Sequence, residues 1–308
     1  PVMPFAAETA AFPDGTPVPG GGILIGTIGE PSNLIPYMAS DSASGEITGL
    51  LYVAPLKYDK DLNVVPWAAA SYEVLEGGRL LRFVLRDDIR WEDGVPLTAD
   101  DVEFTYKLMI DPKTPTAYSG DFLAIESFKK TGRLSFEVRY AKPFARSLMT
   151  WMGAILPKHV LEGQDIMTTP VARKPIGAGP YRLAKWDAGS MLTLTASDTY
   201  FEGRPNLDEV VYRIIPDPST MFLELKAGKL DMMSLSPQQY LRQTQGPQWE
   251  RDWRKYRYLS FSYTFLGFNL EHPFFKDVRV RRAISMAIDR QSLIDGVLLG
   301  QGVPTVGP

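Results

Sequence analysis

The chain has 308 residues, 44% of them hydrophobic, with 33 Lys and Arg against 36 Asp and Glu and a formal charge of −3. That balance excludes disorder and allows a core large enough for more than one domain. The scattered cations, clustered only at Arg279 to Arg282, argue against a nucleic-acid surface. No apolar run approaches the ~18 residues of a membrane span, and zero cysteines exclude disulfides and thiol chemistry.

In chain order, residues 1–22 open on Pro1 and are rich in Ala, Pro and Gly, which reads as a flexible leader of a processed or trimmed chain. Ile23 to Ile28 predicts a short apolar strand. The loop after it, Gly29 to Ser44, is rich in Pro, Ser, Asn and Asp, the kind of polar segment that often carries binding residues. Leu80 to Leu85 (LLRFVL) predicts a second strand. Beyond it Asp93-Gly94 marks a tight turn, Pro96 an extended stretch, and Thr98 a helix N-cap with Asp101 as capping-box partner. The following helix carries Val102, Phe104, Tyr106, Leu108 and Met109 and stops at Asp111-Pro112. Gly177 and Gly179-Pro180 predict a turn feeding a strand at Tyr181 to Lys185; without a phosphate-loop lysine this is no nucleotide site. SFSYTFLGFNL (260–270) predicts a further strand. Asp277 caps a helix over Val278 to Ile288, in which Val280, Ile284 and Ile288 form a packing stripe. Asp289 caps another helix ending near Gly300.

Four blocks in this order resemble the signature of family 5 extracellular solute-binding proteins, the peptide and nickel binding components of ABC importers. They are GGGILIGTIGEPSNLIPYM (20–38), WEDGVPLTADDV (91–102), PIGAGPYRLAKW through GKLD (175–231) and FNLEHPFFKDVRVRRAISMAIDR (268–290). The resemblance implies an α/β (α+β) fold of the periplasmic-binding-protein type with two lobes. It places the core of lobe I in residues 23–52 and 158–260, an inserted lobe I subdomain in 53–157, and the start of an incomplete lobe II in 261–308. The family pattern continues past this point, so the chain resembles an N-terminal fragment of a longer protein.

By the same resemblance, ligand contacts are expected from Tyr37, Met38, Ser40, Asp41, Ser42, Tyr118, Trp151 and Met152 in lobe I, and from Ser262, Tyr263, Phe265 and Gly267 in lobe II. Aromatic rings supply rigid apolar faces and an exposed backbone edge can pair with an extended peptide. The bland alternatives stay open: Trp151 and Met152 sit beside Leu148 and Ile155 in a segment equally readable as core, and alternation accounts for Tyr263 and Phe265 as packing. The implied function is a periplasmic or extracellular receptor, a monomer peripheral to the membrane and lipid-anchored in some full-length precursors. It would hand a small ligand, an oligopeptide first of all, to an ABC permease. Oligosaccharides and metal chelates of nickel or haem are the alternatives.

Enzymatic readings find little support. Asp87-Asp88, Glu92-Asp93 and Asp100-Asp101 could suggest glycoside hydrolysis, but neighbours in sequence point apart and these suit turns and caps. No G-x-S-x-G stretch occurs, and the two histidines, His159 and His272, have no ligand spacing around them. No cofactor and no protein-built metal site are expected. A sensor domain of a regulator would share this fold, yet no DNA-binding segment accompanies it.

Overall fold

A computed structural model describes residues 17–258 and 263–305. The chain divides into two compact units, Pro17–Met233 and a second that begins at Ser234.

The first unit runs β1 (Gly22–Thr27), α1 (Ser42–Leu51), β2 (Leu56–Tyr58), β3 (Val64–Pro66), β4 (Ala69–Leu75), β5 (Leu80–Leu85), α2 (Ala99–Ile110), α3 (Ser119–Leu123), β6 (Ile125–Lys130), β7 (Ser135–Tyr140), α4 (Ser147–Thr150), α5 (Lys158–Leu161), β8 (Tyr181–Asp187), β9 (Met191–Ala196), β10 (Glu209–Ile214), α6 (Pro218–Lys226) and β11 (Met232–Met233). A five-stranded sheet takes the order β11-β1-β10-β9-β8, with β1 parallel to both β10 and β11 and the remaining pairs antiparallel. All five strands come from outside residues 53–157. The four-stranded antiparallel sheet β4-β5-β7-β6 and the hairpin β2-β3 lie wholly inside that range.

Strand alternation decides which face each sheet buries. In β5 and β7, Leu81, Phe83, Leu85, Phe136, Val138 and Tyr140 are buried, while Arg82 faces outward between Glu73 and Glu137, 2.9 Å from each. Phe83 and Phe136 stack at 4.8 Å, and Phe128 lies 5.2 Å from Phe136. In the larger sheet, Gly26 of β1 admits close packing: a Cβ there would fall 2.8 Å from the Leu230 side chain and 2.9 Å from that of Met221. Met221 belongs to α6, whose start is fixed by Pro218 and by Asp217 accepting the Thr220 N–H at 2.7 Å.

The predicted turn and helix over 93–110 form as the residues dictate. Gly94 takes φ 87° and donates to the Trp91 carbonyl at 2.8 Å. Thr98 and Asp101 make a capping box on α2, and Asp111 closes it. Asp101 also accepts the Lys158 N–H at 3.0 Å, which ties the start of α2 to the start of α5.

The second unit contains a π-turn (Gln239–Gln243), α7 (Pro247–Asp252), α8 (Pro273–Lys276), α9 (Val278–Ala287) and α10 (Arg290–Gly296). Asp277 and Asp289 cap α9 and α10 as expected. Helix α10 stops short of Gly300, which takes φ 76° and donates to the Ile294 carbonyl at 3.0 Å. The unit boundary falls earlier than the expected start of lobe II at Phe261, a residue outside the described ones. The strand expected over 260–270 differs in its described part: residues 263–269 form no strand. A strand needs a ladder partner, and none of the described residues pairs with this segment.

Candidate functional site

The loop after β1 is organised by its own polar residues. Asp41 is the N-cap of α1: its carboxylate accepts the Ser44 N–H at 2.7 Å, the Ser44 hydroxyl at 2.8 Å and the Ser32 hydroxyl at 2.5 Å. Partial burial pushes its pKa up, but the hydrogen bonds from Ser32 and Ser44 outweigh that and hold it below the usual carboxylate value. Asp41 is therefore a structural anchor with little acceptor capacity left. Ser40 and Ser42 on either side are exposed. Among the described residues, neither the N–H nor the carbonyl of Ser40 has a protein partner.

Tyr37 precedes this edge in a left-handed conformation, φ 73°, which only four non-glycine residues adopt among those described. Such a backbone costs on the order of 1–3 kcal/mol and persists only where its surroundings hold it. Its hydroxyl donates to the Ala154 carbonyl at 2.8 Å, and its own carbonyl accepts the Thr116 hydroxyl at 2.8 Å. Burial drives the phenol pKa far upward, so the hydroxyl remains a proton donor. Gly153 is required next to it, because a Cβ at that position would lie 2.2 Å from the Tyr37 hydroxyl oxygen. Met38 is half-buried and packs against the core.

Tyr118 stands at the start of α3 and is 45% exposed, enough to present a ring face to a ligand. It meets Tyr37 edge to face at 6.0 Å, and its hydroxyl reaches the Ala39 carbonyl at 3.4 Å. The loop 37–42 and Tyr118, far apart in sequence, are thus brought onto one wall. Trp151 is placed elsewhere. It is 3% exposed and packs among Phe83, Phe122, Phe128 and Phe136 at 5.3–6.2 Å. Its indole is core, since apolar side chains of three sheet strands (β5, β6 and β7) and of α3 surround it. Met152 is half-buried beside it.

Of the residues expected from lobe II, Ser262 lies outside the described ones. Tyr263 and Phe265 are exposed, with their rings 5.7 Å apart, and Gly267 is exposed too. Neither Thr116 nor Ala154 was marked by the sequence. The spacing of Gly153 beside Trp151 gave no signal, because its requirement comes from a tyrosine more than a hundred positions away.

Two concavities lie near this wall. One, about 220 Å³, is lined by Tyr37, Phe122, Trp151 and Gly153 among others. The other, about 240 Å³, sits at the ends of β1 and β10 beside Glu46 and Tyr212. Each is open to solvent and leaves only about 10 Å³ of room for a water-sized body, far below the ~300–1,000 Å³ of ordinary small-molecule pockets. No group of three or more His, Cys, Asp or Glu suited to a metal occurs among the described residues. His159 pairs with Asp93 at 2.7 Å, and His272 accepts the Phe274 N–H at 3.3 Å at the start of α8. The paired acids are engaged locally: Asp88 binds Arg86 at 2.6 Å, Asp100 pairs with Lys130, and Asp101 caps α2.

Residues 63–308 match the profile of the bacterial extracellular solute-binding proteins, family 5. The chain belongs to that family. It is 33% identical over 294 residues to the oligopeptide-binding protein AppA of Bacillus subtilis, a match covering 94% of this chain and 53% of AppA. The solved structure of Bacillus subtilis AppA in complex with a nonapeptide superposes with a TM-score of 0.83 at 31% identity, over 94% of this chain and 58% of the other. NikZ of Campylobacter jejuni, solved with Ni(L-His), shares the fold at a TM-score of 0.77 and 24% identity, over 93% of this chain and 57% of NikZ. The chain spans about half the length of the relatives it matches. Its fold is the mixed α/β fold of periplasmic solute-binding proteins, in part. No described helix is long and apolar enough to cross a membrane.

Proposed function

We propose that this chain forms the first ligand-binding wall of a solute receptor for an ABC importer, and that its ligand is an oligopeptide. The receptor works outside the cytoplasmic membrane as a monomer, captures its ligand between two lobes, and presents the closed form to a permease without chemical change. Closure follows from differential affinity: a ligand that touches both lobes only when they meet shifts the population toward the closed state.

The observation that carries this reading is the edge at Ser40. Among the described residues its main-chain donor and acceptor have no protein partner, and they lie on the same wall as the exposed Tyr118 ring. Free backbone groups can pair with a peptide of any sequence, and an aromatic face covers side chains of varied shape. Residues 37–44 carry one charged side chain, Asp41, and it is engaged by Ser32 and Ser44. Met38, Ser40, Ser42 and Tyr118 are the wall's contacts in this reading. The relationship to AppA supports a peptide over a sugar or a metal chelate.

Native mass spectrometry of the whole gene product, purified without refolding, tests this directly. A distribution of bound masses that resolves into peptides on denaturation is expected. A single bound oligosaccharide or nickel chelate in its place overturns the ligand assignment.

A further inference from the structure

We propose that Tyr37 is a positioning residue: it contacts no ligand through its hydroxyl, but aims the Tyr118 ring and sets the course of the backbone over 38–42. The proposal rests on the reading of that wall as a ligand surface.

Four independent ties converge on this one side chain and its strained backbone. The buried hydroxyl is committed to the Ala154 carbonyl at 2.8 Å, so it has no proton to offer a ligand. The main-chain carbonyl takes the Thr116 hydroxyl at 2.8 Å, and the same Thr116 oxygen accepts the Tyr118 N–H at 3.2 Å. A short relay therefore runs from the Tyr37 backbone through Thr116 to the backbone of Tyr118. Edge-to-face contacts to Tyr118 at 6.0 Å and to Phe122 at 5.9 Å fix the ring angles at both ends of the short helix α3. Gly153 supplies the space, since any side chain there collides with the Tyr37 hydroxyl.

The left-handed conformation has a geometric consequence. The chain turns sharply at Tyr37, so the next three residues run out along the wall and reach the cap of α1 at Asp41. Tyr118 then closes the arrangement by reaching back to the Ala39 carbonyl at 3.4 Å. Ring and backbone edge are held as a pair by a residue that itself lies behind them.

Hydrogen exchange on the ligand-free whole gene product, with Tyr37→Phe and Tyr37→Gly variants, separates this role from simple packing. Phe keeps the ring and loses the hydroxyl tie; Gly accepts the backbone angle without strain and loses the ring. Both variants are expected to raise exchange at 38–42 and 116–118 at least tenfold while amides of β5 stay unchanged. Both are also expected to bind a defined pool of nonapeptides at least tenfold more weakly. Exchange within twofold of the parent in both variants overturns the proposal, as does raised exchange with unchanged peptide affinity. If the parent protein binds no nonapeptide, the peptide reading fails by itself, and the exchange arm still decides whether Tyr37 sets the wall.

Discussion

Both oxygens of Asp101 accept main-chain N–H groups, from Thr98 at 2.8 Å and from Lys158 at 3.0 Å. Asparagine keeps one acceptor and turns an NH₂ group toward the other donor. Asp101→Asn is therefore expected to cost about 1–3 kcal/mol, the range for leaving a buried donor unpaired, as read from urea unfolding. Asp41 gives a prediction in pH. Its pKa is lowered in the folded chain, so its contribution is present above the ordinary value and lost as pH falls through the folded value. Asp41→Asn should cost about 0.5–1.5 kcal/mol at neutral pH, because asparagine caps well but accepts fewer hydroxyls. Below the folded pKa of Asp41 the difference should vanish; a gap that widens with acid would contradict the cap assignment. The capping roles of Thr98, Asp101, Asp277 and Asp289 were legible in the sequence because they depend on neighbours two or three residues away. The second role of Asp101, and the whole setting of Tyr37, were not, since their partners are set by tertiary packing.

At the scale of elements, the junction between α1 and the turn into β8 depends on two glycines. A Cβ on Gly177 would lie 1.9 Å from the Leu51 carbonyl oxygen, and one on Gly179 would lie 2.5 Å from that of Leu50. Gly179 also donates to the Leu51 carbonyl at 2.8 Å. Gly177→Ala should push α1 off the sheet and cost about 1–3 kcal/mol or more, as overpacking does, with the loss visible in thermal unfolding. The sequence marked these glycines as a turn, but not the helix end that presses on them. Trp151 shows the converse. Its neighbours were compatible with either wall or core, and only the pairing of β5 with β7 and β7 with β6 brings three phenylalanine-bearing strands around it. Trp151→Ala is expected to cost about 3–5 kcal/mol, whereas Trp151→Phe should leave ligand affinity of the folded protein unchanged. A selective loss of affinity in the phenylalanine variant, with stability retained, would return Trp151 to the ligand wall.

Across the molecule, the order of the four sequence blocks was enough to anticipate the family, because each block encodes local structure such as a strand, a turn or a capped helix. Among the described residues, strands outside 53–157 form the five-stranded sheet, and strands inside that range form the four-stranded sheet and the β2-β3 hairpin. The second unit was less legible: alternation suggested a strand at 263–269, and alternation cannot tell whether a pairing partner exists. Thermal-shift measurement on the whole gene product separates the ligand classes. Di- to nonapeptides, cello-oligosaccharides and nickel chelates would each be titrated, since a ligand at a hundred times its dissociation constant adds about 2.7 kcal/mol of stability. Peptides should raise the melting temperature, an effect lost in Tyr118→Ala, and the other ligands should not. Stabilisation by a sugar or a chelate, with no response to any peptide, would contradict the peptide assignment.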